Sequence, residues 1–359
     1  MLGDHALTDR DQAIVLGGRR VGHGEPVFVI AEAGVNHNGD VELATRLVDV
    51  AVEAGADAVK FQTFKADRLA SPAAPKAGYQ LQSTSPGETQ LDMLRRLELS
   101  VEAHRRLKAH AEGRGLLFLS TPFDPESADL LDGLGVPAFK IGSGEVTNLP
   151  FLEYVAGKGK PVILSTGMSS LAEVGDAVGA IRGAGNHRLV LLHCVSSYPA
   201  DPGEANLRAM RALADAFRVP VGYSDHTPGV EVALAAVALG AVVVEKHFTL
   251  DRSLPGPDHR ASAEPRELQA LIRGIRTVER ALGDGVKAPA PSEMDNRVIV
   301  RRSLAAAVDL PPGTVLTRDM VRAVRPGTGI APAFLGAVIG HHVRRALKSG
   351  ELLTWGDLG

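Results

Sequence analysis

One cysteine, Cys194, in 359 residues excludes an internal disulfide framework and a cage of thiolates around a metal, and it suits a reducing compartment. Inside the apolar run "LVLLHC" it reads as a small core residue. No run of Lys and Arg is long enough to form a basic stripe, and the formal net charge is -3, which argues against nucleic acid or a membrane surface as partner. Any anion site must therefore be local. Long hydrophobic runs are missing as well: "VALAAVALGAVVV" is too short to span a bilayer and is broken by Gly240. The opening "MLGDHALTDRDQAIVLGG" carries acids early and only a four-residue apolar run, unlike a secretory leader, so the expected location is the cytoplasm.

What is present is a chain with 45% hydrophobic and 23% charged residues, enough for one large domain or two. Eight short apolar runs recur at 27–31, 58–62, 116–120, 137–141, 161–165, 189–194, 219–224 and 241–248, with helix-type patterns filling most intervals. Continuous apolar strands imply a parallel sheet covered on both faces. Eight of them alternating with helices over roughly 250 residues is the period of an α/β fold of the (β/α)8 TIM barrel type, with a doubly wound open sheet as the rival. "DVELATRLVDVAVEAGA" has an acidic start and stops at Gly55, and "SVEAHRRLKAHAEGRG" opens on a serine cap. Segment 63–99 is longer than an ordinary connection and is expected to carry a functional loop.

Residues 1–24 hold "AIVLGGRRVG", which predicts a hairpin with a Gly-Gly turn capping the amino-terminal end of a barrel over 25–283. "DGVKAPAPSEMDN" places a linker at 284–297. The tail, 298–359, breaks into the strand-like pieces "RSLAAAVDL", "TVLTRDMVRAVRP" and "HHVRRALKSGELLT" and predicts a small, mostly β domain that needs a docking surface.

Reactive groups in a barrel cluster where strands end, and nearly every predicted strand here ends in polar residues. These are Glu32; Lys60 and Gln62; Ser120 and Thr121; Lys140, Ser143 and Glu145; "STG"; His193, Ser196 and Tyr198; Ser224, Asp225 and His226; and Glu245, Lys246 and His247. A buried lysine or glutamate costs several kcal/mol unless paired, so Lys60, Lys140, Glu32 and Glu245 converging on one cavity call for an anionic substrate or a metal. His226 and His247 close two consecutive strands, and neighbouring strands stand about 5 Å apart. Two imidazoles so placed either share one divalent ion, nitrogen donors favouring Mn, Fe, Co or Zn over Ca, or are simply hydrogen-bonded histidines. The turns "GSGE" and "STGMSS" lead into helices whose first amides could bind a phosphate.

"IAEAGVNHNG", "GADAVKFQTFKAD", "STPFD", "KIGSGE", "LSTGM", "LLHC", "YSDHT", "EKHFTLD", "GPDH" and "RPGTGI" follow one another in an order that resembles the sialic acid synthase family. The resemblance implies a (β/α)8 barrel joined to a carboxy-terminal antifreeze-like (SAF) domain. It implies condensation of phosphoenolpyruvate with an open-chain N-acetylated hexosamine, release of phosphate, and a divalent metal, typically manganese. A homodimer in which the small domain of one subunit covers the other's active site is implied too. On this resemblance His226 and His247 hold the metal, and Glu32 stands near carbon 2 of the enol. Lys60, Thr121, Lys140, Ser143 and Ser224 match residues that grip phosphate and carboxylate, with Glu145 beside them in the same motif. Gln62, Tyr198 and Glu245 match sugar contacts, and Arg325 matches an arginine reaching in from the partner subunit. The segment "APKAGYQLQSTSPGETQLDMLRRLELS" is similar to the bacterial branch that uses free sugars, N-acetylneuraminate and legionaminate synthases among them.

Two rival readings use the same residues. One is a Schiff-base aldolase built on Lys140 or Lys60, since a desolvated lysine can be nucleophilic. The other treats the tail as a carbohydrate- or ice-binding module, although it lacks a regular threonine array.

Overall fold

The computed structural model describes residues 13–83 and 87–359. Residues 1–12, which begin the predicted cap and carry the argument against a leader, and residues 84–86 lie outside the described residues. Two units divide the chain after Gly283.

In the first unit a hairpin of β1 (Ile14–Leu16) and β2 (Arg19–Val21) precedes eight strands: β3 (Phe28–Gly34), β4 (Ala58–Thr63), β5 (Leu117–Pro122), β6 (Phe139–Ile141), β7 (Val162–Ser165), β8 (Leu189–His193), β9 (Val221–Asp225) and β10 (Val243–His247). They fall on the eight predicted runs. The ladder order is β5-β4-β3-β10-β9-β8-β7-β6, parallel throughout, so the first strand of the eight pairs with the last. That pairing settles the barrel against the open sheet, because an open sheet leaves two distant edges, whereas here the end strands β5 and β6 lie side by side.

Local chemistry explains the helices that wrap it. Asp40 accepts from the amides of Glu42 and Leu43 to start the helix Val41–Ala54, and Gly55, at φ 83°, ends it in the left-handed region. Ala44, Leu47, Val48 and Ala51 form its buried stripe against the sheet. Ser100 caps the helix Val101–Gly113 as its sequence predicts, accepting from the Ala103 amide.

Gly17 and Gly18 both take positive φ in the two-residue turn of the hairpin, which ordinary residues resist. Ile14, Leu16 and Val21 then pack into the barrel interior with Phe28, Ile30, Leu119, Ile163 and Leu192. The amino-terminal end of the barrel is therefore sealed by apolar side chains. At the other end the long connection folds into three short helices, Ala66–Leu69, Gly78–Ser83 and Gln90–Leu97. Its Met93 and Leu97 pack with Val35 and Phe64 beside the strand ends. No described helix is long and apolar enough to cross a membrane.

The second unit, Asp284–Gly359, departs from expectation in two places. Part of the predicted linker 284–297 is helical, because Pro291 opens a turn in which Glu293 accepts from the Ala290 amide, and the helix Met294–Val300 follows. Of the three predicted strand-like pieces, two form the antiparallel pair β11 (Ser303–Ala306) and β12 (Val321–Val324). The third makes only isolated bridges, such as Val343 to Leu358 and Leu347 to Leu310. Leu304, Leu316, Ile330, Val343 and Leu353 fill a small core of its own.

Candidate active site

Strand periodicity decides which strand-end residues meet. Side chains alternate across the sheet, and partners in a parallel ladder share a face. Glu32 on β3 pairs with Lys60 on β4 and with His247 on β10, Gln62 with Thr121, and Glu245 with Ser224. All line one cavity of about 380 Å³ at the carboxy-terminal end of the barrel, joined by Lys140, Ser143, Tyr198 and His226. A register shift between Glu32 and Gly34 re-aims the end of β3. Gly34 itself has φ 53°, and a Cβ there would press on Glu32 Oε1 at 3.2 Å and Gln62 Nε2 at 3.4 Å. Glycine is favoured at that point, since a side chain would be strained and would crowd both groups.

The same alternation turns other predicted residues away. Ser120 hydrogen-bonds the Thr63 hydroxyl, His193 the carbonyl of Ala205, and Lys246 pairs with Asp225, none of them lining the cavity. Glu145 does not line it either: it ends the tight turn Ser143–Glu145, and its Oε2 accepts from Asn148 Nδ2 at 2.7 Å. A 3-10 turn separates residues two apart onto different sides, which is why Ser143 enters and Glu145 does not. Arg325 lies in the second unit, exposed at the end of β12.

Inside the cavity two carboxylates and two ammonium groups form a chain. Lys60 Nζ lies 3.0 Å from Glu32 Oε2 and 3.6 Å from Glu245 Oε2, and Lys140 Nζ lies 3.5 Å from Glu245 Oε1. Thr121 takes a hydrogen bond from Lys60 at 3.2 Å, Ser165 one from Lys140 at 2.7 Å, and Ser224 donates to Glu245 at 2.9 Å. Despite the nearby ammonium, Oε2 of Glu32 and Oε2 of Glu245 accept no aligned hydrogen bond. The quartet is buried and only partly satisfied, so a charged ligand has groups waiting for it.

Environment separates the two acids. Burial pushes the Glu32 carboxyl up to about 7, with Lys60 pulling the other way and Glu245 adding to the rise. Burial also opposes ionisation of Glu245, but Lys140 and Lys60 together outweigh it and hold that carboxyl down to about 2. Burial lowers Lys140 against the pull of Glu245, whereas Glu245 and Glu32 overcome burial at Lys60 and keep it above its ordinary value. Glu245 thus stays ionised as a counter-ion to the two lysines, and Glu32 is the carboxyl placed to exchange a proton near neutral pH.

His226 and His247 face each other with ring centroids 5.4 Å apart, and Tyr198 lies against both. His226 Nδ1 bonds the Val195 carbonyl, leaving Nε2 as the free nitrogen, while His247 Nδ1 is buried with no hydrogen-bond partner. Burial holds both rings well toward the neutral form, His247 most strongly, with His226 beside it adding to the effect. Two neutral imidazoles with unused nitrogens fit a divalent cation. Among the described residues no set of three or more His, Cys, Asp or Glu is grouped to hold one, so water or substrate would complete the shell.

Two cavity residues were not read as such in the sequence, Cys194, taken for a core residue, and Asp258, whereas Ser165 of "STG" and Ser196 stood among the polar strand ends and do reach the cavity. Ser165 and Cys194 point inward by the same alternation, Cys194 buried as expected but also lining the cavity with Sγ 3.2 Å from Ser143 Oγ; Ser196 lies beside Gly167. Asp258, in "GPDH", is buried on the cavity wall with its carboxyl pushed up to about 6 by desolvation. It sits on a loop, where no periodicity signals orientation.

Comparison with known proteins matches residues 47–287 to the NeuB family and 301–359 to the SAF domain. N,N'-diacetyllegionaminic acid synthase of Campylobacter jejuni is 49% identical over 91% of this chain and 98% of its own. The protein of the same name from Legionella pneumophila is 49% identical over 91% and 93%. The crystal structure of an N-acetylneuraminic acid (sialic acid) synthetase from Leptospira borgpetersenii superposes with a TM-score of 0.70 at 38% identity, covering 79% of this chain and 95% of that one. With the strand-end motifs converging on one cavity and both modules matched, this chain belongs to the NeuB family of sialic-acid-type synthases and carries a SAF domain at its carboxy-terminal end.

Proposed function

We propose that this protein condenses phosphoenolpyruvate with the open-chain form of a 2,4-diacetamido-2,4,6-trideoxyhexose and water, giving a legionaminic-type nonulosonic acid and phosphate. The observation that carries this reading is the buried Glu32–Lys60–Glu245–Lys140 chain beside the paired imidazoles in one cavity. The names of the Campylobacter and Legionella relatives favour the diacetamido sugar over N-acetylmannosamine.

Lys60, Lys140, Thr121, Ser143 and Ser224 bind and orient the phosphate and carboxylate of the enol. Carbon 3 attacks the sugar aldehyde, forming the C–C bond as the carbonyl π pair moves to oxygen, and positive charge is left at carbon 2. Glu245 and Glu32 stabilise that charge, and Glu32 takes one proton from the water that adds there. This offsets the proton gained by the sugar alkoxide. Loss of phosphate, with the second proton of that water, leaves the 2-keto acid. A divalent ion held by His226 and His247, manganese in this reading, polarises the aldehyde oxygen when bound. Gln62, Tyr198 and Asp258 face the sugar.

The enzyme works as a cytoplasmic homodimer in this reading, with Arg325 of one copy reaching the sugar bound by the other. Arg325 is exposed and has no hydrogen bond or ion pair among the described residues. Arg325→Ala is expected to raise KM for the sugar by roughly 10-fold or more, the worth of one hydrogen bond from a charged group, with KM for phosphoenolpyruvate little changed. Equal increases in both would refute the sugar-side role.

The deciding assay is phosphate release from phosphoenolpyruvate with manganese, offering 2,4-diacetamido-2,4,6-trideoxymannose and N-acetylmannosamine separately. Release with the first is expected. Release only with the second moves the specificity to N-acetylneuraminate, and silence with both, together with pyruvyl-lysine trapping by borohydride, would favour the aldolase.

A further inference from the structure

The strand positions just before the two histidines carry charges that the reaction does not use. In the ladder of β9 and β10, Lys246 stands opposite Asp225, one residue before His247 and His226 respectively. By alternation both side chains point away from the cavity, and neither lines it. Other outward positions nearby are apolar, Tyr223, Val244 and Ala31 among them. Here a lysine 2% exposed meets an aspartate 1% exposed.

The contacts form a closed knot. Lys246 Nζ donates to Asp225 Oδ2 at 2.7 Å and also to the carbonyl of Thr227. Asp225 Oδ1 accepts from the Thr227 amide at 3.0 Å and from its hydroxyl at 2.8 Å. The residues on either side of His226 are thus both fastened to the ammonium that immediately precedes His247. His226 is held a third time through its Nδ1 bond to the Val195 carbonyl.

A buried ion pair adds little net stability over apolar residues of the same volume, so stability alone does not account for this one. Geometry does. A misplacement of about 1 Å in a catalytic constellation can cost about 10²-fold in rate, and groups that orient metal ligands typically contribute roughly 10- to 100-fold in metal affinity. We propose that Lys246 and Asp225 are positioning residues: their buried pair, tied to Thr227, sets where the His226 imidazole stands relative to that of His247. The proposal rests on the reading of these histidines as holders of a divalent ion.

The test is the double variant D225N/K246M, which removes both charges at nearly constant volume, in the full-length protein. Its thermal midpoint is expected to stay close to that of the parent. Manganese affinity by calorimetry is expected to fall roughly 10- to 100-fold. In imidazole ¹⁵N spectra of the metal-free protein, the signals of His226 and His247 are expected to move while that of His259, bonded to Thr249, stays. Parental manganese affinity with parental imidazole signals would overturn the proposal. If the parent itself binds no manganese, the metal reading fails, and the spectra still decide: displaced signals support positioning and unchanged signals sink it. D225N alone keeps size and shape, and carries the same expectation with smaller amplitude should the double variant not fold.

Discussion

Glu32→Gln is expected to lower kcat by about 10²- to 10⁴-fold, the usual worth of a positioned general base, while phosphoenolpyruvate binds as well as to the parent or better. The amide is close in size to the carboxylate, so the cavity keeps its shape, and one negative charge disappears from beside an anionic substrate. The pH profile gives the sharper sign. With the Glu32 carboxyl pushed up to about 7, its basic form is scarce at pH 5 to 6 and dominant above 8. Parent kcat/KM should therefore rise with pH through the neutral range and level off above it, and the acidic limb should vanish in the variant. A variant that keeps the limb would assign the titration elsewhere, with Asp258, pushed up to about 6, the next group to examine.

His247→Ala should cost about 10²- to 10³-fold in kcat, the loss typical of removing one electrostatic stabiliser of developing charge. The fold should persist, since the ring packs against Tyr198 and His226 rather than into the apolar core. Bound manganese should be lost with it. In the parent, chelation should abolish phosphate release and added manganese should restore it. If the variant retained the parent's metal content, the imidazole pair would not be the metal site. His226→Ala should behave alike, with an added penalty from the lost bond to the Val195 carbonyl.

Most of the barrel was legible because its information is local. Each apolar run is bounded by turns and caps such as Asp40, Gly55 and Ser100 that act within a few residues. Convergence of Glu32, Lys60, Lys140, Glu245 and the two histidines was legible too, since a barrel brings all strand ends to one rim. Facing was the weak point. Ser120, His193, Asp225 and Lys246 belong to the same polar ends, and only the strand period, fixed by register with neighbouring strands, separates them from Thr121, Ser224 and Glu245. Glu145 failed for a different reason, because a tight turn follows a period of three. Asp258 could not be assigned at all: its burial depends on a loop packed by contacts distant in sequence. In the second unit the third strand-like piece carries the right residues but finds partners one at a time, and the helix at Met294–Val300 arises where composition reads as linker.

The apolar hairpin that seals the far end of the barrel has a consequence for traffic. A vessel with one opening fills from the bottom; in the proposed reaction the groups that grip phosphoenolpyruvate, Lys60, Thr121, Lys140 and Ser224, are all buried, whereas Gln62 and Tyr198 on the sugar side are half-buried. On that reading the expected order is enol before sugar, with the sugar standing as its stopper. With the far end sealed, the water consumed at carbon 2 in that reaction is expected to be in place before the stopper arrives.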